Sequence, residues 1–464
     1  MKILFVYTDI DVKGGARSYH FGLGVLSSVL KNAGHATGLH YMFDKWDPDG
    51  FSAHVEMFGP DILAYTSDSS QARYTAKLIK QMKDKGILQI AGGTHASLYP
   101  EFLKDTDGLD AICVGEGEKP LLDMVTALHK KEDYSGIAGL WVKAKDGSIK
   151  QNPQSQFTHD LDAIPFGDRE MFNYQQVVAS DYDRATVMMS RGCPYKCNYC
   201  GSPAMGGLQE GKYVRFRSVE NGIAEIKEIV SRYKIKSIFF ADDVFTIDRK
   251  FVKEFCEAYK HEVDLPFEVT TRVESANYET FKNLIDAGCT RVAMGVESGS
   301  QELRRKSLNR KMTNKKIIQA FADAKKAGLK TKSYNIVGFP YETRKMHEET
   351  ILLNRELNPD SLVCYIFNPY PGTALFDISI KEGFLSPDFL NDDFISRTDT
   401  PLNMPLFSRR EILECYRSFA YNVYKTRSLK KALIYKVYYS RFGEPLIRLL
   451  DIVKKPIQRL AMGS

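Results

Sequence analysis

The sequence predicts an α/β protein with two successive sheets, an open doubly wound sheet and then a partial six-stranded β/α barrel. Two series of short apolar runs predict these sheets, because amphipathic stretches separate the runs and buried parallel strands are connected by helices. A polar stretch lies between the two series, and Tyr, Lys and Arg are frequent after the second. The predicted units are 1–145, a Rossmann-like domain; 146–184, a linker; 185–387, a partial (β/α)6 TIM-type barrel; and 388–464, a helical, basic C-terminal region.

The first series predicts a parallel sheet with helices on its faces. The predicted strands are 2–8, 61–66, 88–91 and 111–114, and the predicted helices are 22–33 and 71–85. Small, polar or Gly-rich loops follow these strands at 8–10, 67–70, 92–95 and 115–118. Ligands of such sheets bind at the carboxyl ends of the strands, so we expect a ligand there. Residues 147–183 are interpreted as a connection with one β-rich stretch.

The second series predicts an incomplete barrel, because eight strands would close the usual one. The six predicted strands are 186–189, 237–241, 267–271, 291–296, 333–337 and 362–367, with helices at 219–233, 278–287, 314–327 and 342–357. Active sites of such barrels lie at the carboxyl ends of the strands. Reactive groups are therefore expected directly after each strand.

Composition limits the class of protein. Of 464 residues, 43% are hydrophobic and 26% are charged, which argues against global disorder. The net charge of +6 is mild, and no motif indicates a nucleic acid partner. No apolar run approaches the ~20 residues of a membrane-spanning helix. Three of the eight cysteines are clustered and five are scattered, which is typical of a reducing compartment, so we expect a cytoplasmic protein.

Three cysteines follow the first predicted barrel strand, at Cys193, Cys197 and Cys200. Thiolates are the ligands of iron–sulfur clusters, and three of them leave one iron of a four-iron cluster open for a substrate or cofactor. Structural zinc is the alternative, but zinc sites usually have four ligands, often in two separated pairs, and no second cysteine pair exists. Unrelated structural cysteines are a further alternative.

This spacing, with an aromatic residue before the last cysteine, resembles the cluster loop of the radical S-adenosylmethionine (SAM) superfamily. The resemblance implies a catalytic [4Fe–4S] cluster on these cysteines, with SAM chelated by the open iron. It further implies SAM contacts at Tyr199, Gly201, Asp242, Asp243, Arg272, Glu297, Ser298, Val337 and Gly338. Other roles stay open for some of them: Asp242 and Asp243 as helix caps, Arg272 in a structural ion pair, and Glu297 paired with Arg291.

A doubly wound domain before such a barrel resembles the cobalamin-dependent (class B) branch, which includes radical methyltransferases and the anaerobic Mg-protoporphyrin monomethyl ester cyclase. The matching segments are 19–24, 91–96 and 114–120. The resemblance implies cobalamin contacts at Thr8, Ser67, Ser69, Gly92, Gly93, Thr94, His95, Gly115, Glu116 and Gly117. His95 has an alternative role as a hydrogen-bonded loop histidine. No Asp-x-His-x-x-Gly loop occurs, so we expect cobalt without a protein histidine ligand, and a domain that binds no cobalamin is the alternative.

The resemblance implies reductive cleavage of SAM to a 5′-deoxyadenosyl radical, with an electron donor of the flavodoxin or ferredoxin type. Three hypotheses follow: methylation of an unactivated carbon of a small-molecule or lipid substrate, a cyclisation or rearrangement without methyl transfer, and a non-catalytic cobalamin carrier. From Tyr424 onward, basic and apolar residues interleave. This end is interpreted either as a helical cap on the barrel or as a peripheral contact with an anionic membrane.

Overall fold

The structure, a computed structural model, describes residues 1–10, 16–390 and 399–440. The N-terminal sheet has seven strands. They are β1 (Lys2–Ile10), β2 (Ala36–Asp44), β3 (Ile62–Thr66), β4 (Leu88–Gly92), β5 (Ala111–Cys113), β6 (Leu140–Lys143) and β7 (Ile149–Gln151). Their order is β2-β1-β3-β4-β5-β6-β7; β1 to β5 pair in parallel, and β6 and β7 are antiparallel. The predicted doubly wound sheet is therefore confirmed.

Helices cover both faces of this sheet. They are α1 (Phe21–Asn32), α2 (Pro48–Phe58), α3 (Ala72–Met82), α4 (Gly93–Leu98), α5 (Phe102–Asp105) and α6 (Glu118–Lys130). Side chains alternate along β1, so Ile3 and Phe5 pack in one core cluster and Leu4 and Val6 in another. The sequence did not predict β2 and α2. Strand β2 is an edge strand, and most of its side chains are only partly buried, so it lacks a continuous apolar run.

The connection between the sheets is more structured than the sequence predicted. Strand β7 supplies the expected β stretch, and a 3₁₀ turn (Glu170–Phe172) and helix α7 (Tyr174–Ser180) follow it. Tyr174, Val177 and Val178 of α7 are buried in the same core cluster as the barrel strands. The connection thus contributes apolar side chains to the core of the barrel.

The second sheet is a half-barrel of six parallel strands. Its strands are β8 (Arg184–Val187), β11 (Ser237–Phe240), β12 (Phe267–Thr271), β13 (Cys289–Glu297), β14 (Lys330–Val337) and β15 (Ser361–Ile366). Two short strands, β9 (Ser190–Arg191) and β10 (Arg215–Phe216), form a separate antiparallel pair. The helices are α8 (Gly201–Met205), α9 (Val219–Arg232), α10 (Arg249–Glu262), α11 (Tyr278–Asp286), α12 (Gln301–Lys306), α13 (Asn314–Ala327), α14 (Arg344–Leu357) and α15 (Ala374–Lys381). The strand order β8-β11-β12-β13-β14-β15 confirms the predicted partial barrel.

In the described part of the chain, two helices follow the half-barrel, α16 (Arg409–Tyr424) and α17 (Leu429–Tyr438). Helix α16 begins with a capping box in which Ser408 and Glu411 bond each other's backbone N–H groups. Its Ile412 and Phe419 are buried in one apolar cluster with residues of β14 and β15, as the interpretation as a cap predicts. The remaining basic and apolar residues, 441–464, lie outside the described residues. No helix of the described part is long and apolar enough to cross a membrane.

Candidate functional site

The cluster loop, residues 192–200, connects β9 to α8 at the carboxyl end of the first barrel strand. Gly192 begins the loop with φ +87°, and a Cβ there would lie 2.5 Å from the Tyr213 carbonyl oxygen, so the turn requires glycine. Cys197 is buried, and Cys193 and Cys200 are half-buried. The Cys200 Sγ accepts a hydrogen bond from the Ser202 N–H at 3.4 Å and caps α8. The fold thus brings all three thiols to one surface of the barrel.

The chemistry of these thiols fits an iron–sulfur cluster. Burial raises the pKa of Cys193 and raises that of Cys200 to about 11, and neighbouring loop thiols add to both shifts. Iron that binds these thiols therefore has to displace their protons. Within residues 1–10, 16–390 and 399–440, no three His, Cys, Asp or Glu side chains converge as ligands of a single metal ion. A cubane takes one cysteine at each of three irons, so its ligands do not meet at one point.

Arg272, after β12, contacts this loop directly. Its Nη1 donates a hydrogen bond to the Cys197 Sγ at 3.0 Å, and its guanidinium lies 3.8 Å from the centre of the Tyr195 ring. Nη2 donates to Glu274 at 2.6 Å. The ion pair considered as an alternative from the sequence is therefore present. The same pair holds the guanidinium against a cluster thiol.

Arg310 is a buried residue of the site that sequence reasoning missed. Its Nη1 donates to the Tyr199 hydroxyl at 3.0 Å and lies 3.6 Å from the Glu297 carboxylate, and Nη2 donates to the Gly295 carbonyl at 2.7 Å. Burial raises the pKa of Glu297, and Arg310 opposes that shift. Glu297 therefore pairs with Arg310, whereas the sequence had suggested Arg291. The sequence near Arg310 contains no pattern that predicts its contacts with Tyr199 and Glu297.

The two aspartates after β11 have different surroundings. Asp242 is buried and accepts hydrogen bonds from the Met189 N–H and the Ser190 hydroxyl, so its carboxylate anchors the strand before the cluster loop. Burial raises its pKa to about 6. Asp243 accepts a hydrogen bond from the Ser202 hydroxyl at 3.3 Å, next to Cys200. Neither caps the next helix, because Asp248 caps α10.

Ser298 follows β13, Val337 is the last residue of β14 and Gly338 follows it, and all three lie within the packed barrel. Ser298 is fully buried, and its hydroxyl accepts from the Ser300 N–H at 3.2 Å. Val337 is fully buried, and Gly338 has φ +90°. The Gly338 N–H donates to Glu342 at 2.6 Å, and burial raises the pKa of Glu342 to about 8. Of the remaining predicted residues, Tyr199 lies between Arg310 and Phe339, and Gly201 begins α8 beside Leu98.

A cavity of about 270 Å³ opens between the N-terminal sheet, helices α1 and α6, and the barrel. Five of the ten residues predicted for cobalamin line it: Gly92, Gly93, Gly115, Glu116 and Gly117. Thr66, Cys113 and His20 were not predicted, and neither were Met188 and Arg191 of the barrel. A Cβ on Gly117 would come within 3.5 Å of Leu26 and 3.6 Å of Cys113, so this glycine widens the cavity. An apolar interior with a few polar groups at its rim is typical of a cofactor site.

The other five predicted residues do not line this cavity: Thr8, Ser67, Ser69, Thr94 and His95. The hydroxyls of Thr8 and Ser67 are engaged by Thr75 and by the Asp68 carbonyl. His95 is buried, with Nδ1 3.1 Å from the Ser69 hydroxyl, which is the hydrogen-bonded role considered as an alternative. Thr94 is exposed on α4.

His20 is the histidine that faces the cavity. Its Nδ1 accepts a hydrogen bond from the Leu23 N–H at 3.2 Å and caps α1, and Nε2 lies 3.4 Å from the Thr66 hydroxyl. Burial lowers its pKa to about 4, so the ring is neutral at physiological pH. Since Nδ1 accepts, the ring proton is on Nε2, which therefore has no lone pair for cobalt.

An ion-pair network joins the cobalamin cavity to the cluster loop. Glu116 accepts hydrogen bonds from Arg215 at 2.6 and 3.0 Å and from the Thr158 N–H at 3.0 Å, and Arg191 lies 3.1 Å from it. Arg191 also donates to Glu118 at 2.7 Å. Burial alone would raise the pKa of Glu116, but the two arginines hold it below its ordinary value. The carboxylate predicted to contact cobalamin is thus committed to contacts between the two units.

Comparison with known proteins agrees with this geometry. Residues 187–353 match the radical SAM superfamily, and residues 8–125 match the B12 binding domain. The chain is 30% identical over 393 residues to an uncharacterized methyltransferase of Pyrococcus horikoshii. The aligned residues cover 83% of this chain and 84% of that relative. The chain belongs to the cobalamin-dependent branch of the radical SAM superfamily. Its cofactors are a [4Fe–4S] cluster, SAM and cobalamin.

Two further similarities cover more of this radical SAM enzyme. The anaerobic magnesium-protoporphyrin IX monomethyl ester cyclase of Rubrivivax gelatinosus is 26% identical over 447 residues, 91% of this chain and 78% of the cyclase. The fold resembles the cobalamin-dependent SAM radical enzyme OxsB, solved with aqua-cobalamin and SAM. That match has a TM-score of 0.70 at 16% identity and covers 100% of this chain and 78% of OxsB.

Proposed function

We propose that this enzyme transfers a methyl group from cobalamin to an unactivated carbon of a small-molecule or lipid substrate. One observation carries the proposal: Met188 and Arg191, at the carboxyl end of the first barrel strand, line the same cavity as the glycines of the N-terminal sheet. The cavity for the methyl carrier thus adjoins the strand that leads into the cluster loop. The name of the Pyrococcus relative, a methyltransferase, supports this reading.

The protein's own residues have distinct roles in this proposal. Cys193, Cys197 and Cys200 would hold the cluster, and Tyr199 and Glu297, which Arg310 holds in place, would contact SAM. When bound, the cofactors would supply a radical that abstracts hydrogen from the substrate and a methyl group that replaces it. The buried barrel residues position these groups and exclude water and oxygen.

A cyclase or rearrangement enzyme is the second candidate. It is favoured by the similarity to the Rubrivivax cyclase, which extends over 91% of this chain. In that reaction the substrate radical closes a ring or rearranges without receiving a methyl group. The third hypothesis, a non-catalytic carrier, does not account for the three-cysteine loop or for its contact with Arg272.

The deciding experiment does not require the substrate. The protein is reconstituted anaerobically with iron, sulfide and cobalamin, reduced, and given SAM with a deuterated methyl group. Methyl transfer requires S-adenosylhomocysteine and deuteromethylated cobalamin, both detected by mass spectrometry, with cobalamin-free protein as the control. Formation of 5′-deoxyadenosine without either product would reject the methyltransferase in favour of the cyclase. With a substrate in hand, a gain of one methylene in the product completes the assignment.

A further inference from the structure

The inner face of the half-barrel is the concave face of its sheet, opposite the helices. Side chains alternate along each strand, so Val187, Phe240 and Val269 pack with the helices and their neighbours in sequence point to the inner face. Two of these neighbours are Arg184 and Phe239, and the Arg184 guanidinium lies 5.2 Å from the centre of the Phe239 ring. The inner face therefore carries charged and aromatic side chains, where the outer face of the same strands is apolar.

The charged side chains near the N-terminal ends of these strands have a positive excess. Glu268 lies 3.4 Å from Arg184 and 3.2 Å from Arg291. Arg184 also pairs with Asp181 at 2.8 Å. Lys332 is the third cation of the group, and in the described part of the chain it forms neither a hydrogen bond nor a salt bridge. Three cations thus face two carboxylates, and the unpaired charge is on Lys332.

The surroundings of Lys332 disfavour a charge without a partner. The side chain is half-buried on β14, and its Nζ lies 5.2 Å from the centre of the Tyr334 ring. Burial lowers the pKa of Lys332 to about 8, the charges of Arg184 and Arg291 lower it further, and the nearby carboxylates oppose the shift. An anionic group beside Nζ stabilises the charged form of such a lysine.

Lys332 lies on the same face as the residues expected to contact SAM. Tyr334, two residues further along β14, pairs in register with Gly295 of β13. A Cβ on Gly295 would collide with the Glu297 carboxylate, so this carboxylate lies directly over the glycine. Two residues of a strand span roughly 7 Å. The unpaired ammonium and the carboxylate expected at SAM are therefore separated by one short stretch of the inner face.

This stretch offers an apolar surface with space beside it. The rings of Tyr334 and Tyr365 stack with their centres 6.4 Å apart and their planes 28° apart, and Tyr365 is 51% exposed. The residue of β13 in register with Lys332 is Ala293, and the next on the same face is Gly295. These two residues are too small to fill the space next to the tyrosines. The stretch can therefore hold a molecule with an apolar body and one anionic end.

We propose that the inner face binds the substrate through an anionic group, a carboxylate or a phosphate, that pairs with Lys332. The apolar body of the substrate lies against Tyr334 and Tyr365, which places its other end toward Glu297. Lys332 determines which substrate binds and takes no part in the radical reaction. The inference rests on the proposed function, because it concerns the substrate of that reaction.

The test compares anionic probes with their neutral counterparts on the reconstituted holoenzyme. The probes are two matched pairs, 1-naphthylacetate with its methyl ester and farnesyl phosphate with farnesol. Retention is measured by anaerobic gel filtration followed by mass spectrometry of the bound compounds. K332M and K332Q remove the charge, and K332R keeps it. The matched control K326M removes an exposed lysine that lies 4.6 Å from the centre of the Tyr278 ring on the helical side of the barrel.

Wild type is expected to retain the anionic member of at least one pair about 10-fold or more above its neutral counterpart, because a charged partner strengthens the hydrogen bonds of the ammonium. K332M and K332Q are expected to lose this preference, and K332R and K326M to keep it. The preferred pair distinguishes a carboxylate from a phosphate.

Equal retention of anionic and neutral probes by wild type, or retention of neither, would overturn the proposal. So would a preference that survives in K332M or K332Q, or one that K326M abolishes as well. The assay measures binding and not product. Failure of the methyl-transfer experiment therefore leaves these ratios unaffected, and the two proposals fail separately.

Discussion

Replacement of Glu116 by alanine tests whether the ion-pair network holds the two units together. The Arg215 side chain is 4% exposed and that of Glu116 is 16% exposed, so the change leaves a buried guanidinium without its bidentate partner. Arg191 keeps Glu118 and is less affected. Removal of one partner of a buried pair costs about 3–5 kcal/mol. The lower value applies here, because Thr158 still offers its carbonyl to Arg215 at 2.6 Å.

The expected result is a fall in the midpoint of thermal unfolding. A loss of about 3 kcal/mol corresponds to roughly 6–12 °C for a cooperative unit of 150–250 residues. Because the pKa of Glu116 is depressed in the folded state, its stabilisation is present above the ordinary carboxyl pKa and is lost as the pH falls through the lower folded pKa. The difference between wild type and E116A should therefore narrow below about pH 4.3.

The assay is differential scanning calorimetry of the cluster-free protein from about pH 3 to about pH 8, which covers the range below the ordinary carboxyl pKa. E228A is the matched control, because Glu228 and Arg232 form an i,i+4 pair at 2.9 Å with both side chains more than 40% exposed. Such a pair contributes about 0.5 kcal/mol or less. If E116A lowers the midpoint no more than E228A does, the network does not stabilise the fold and the reasoning fails. Weaker cobalamin binding by E116A, measured by equilibrium dialysis, would show that Glu116, which lines the cavity, also supports cobalamin binding.

Three further predictions concern the two cofactor sites and the barrel. Alanine at each loop cysteine should abolish the electron paramagnetic resonance (EPR) signal of the cluster and the formation of 5′-deoxyadenosine. The control C256A, which removes a buried thiol outside the loop, should retain both. Equal iron content in all variants would contradict the ligand assignment. G93A should reduce both cobalamin affinity and stability, because its Cβ would lie 2.7 Å from the Thr66 hydroxyl. The control G86A is also at positive φ but has no atom within 4 Å, so it should lower the stability by only about 1 kcal/mol. Equal losses in the two variants would reject the steric argument. E342Q should gain stability relative to wild type as the pH rises from about 4.3 to about 8, because wild type must keep a buried carboxyl protonated over that window; a pH-independent difference in calorimetry would refute this.

Much of the fold could be predicted because its signals are local. The six barrel strands are apolar runs, and four of the helices between them show amphipathic periodicity, so each element can be predicted from its own residues. Strand β2 was missed for the opposite reason. Its residues Ala36 to Asp44 form an edge strand with mostly half-buried side chains, and its pairing with Lys2 to Ile10 becomes evident only in the sheet.

The candidate site was predictable to a different degree in its two halves. The cluster ligands share one loop, so chain adjacency alone brings the thiols together. Only five of the ten residues predicted for cobalamin line the cavity, because position at a strand end does not determine which way a side chain points. Thr8 and His95 turn toward partners within their own unit instead.

By itself, the sequence determined the kind of chemistry. Three thiols follow the first strand of a β/α series, and they leave one iron of a four-iron cluster open. Only the tertiary structure decided which charged groups surround them. Arg272 reaches Cys197 across 75 residues, Arg215 reaches Glu116 across 99, and Arg310 reaches Tyr199 across 111. Local patterns encode which segments become strands and helices. The pairing of buried charges depends on how distant segments meet, because desolvation makes each charge find a partner wherever the fold places one.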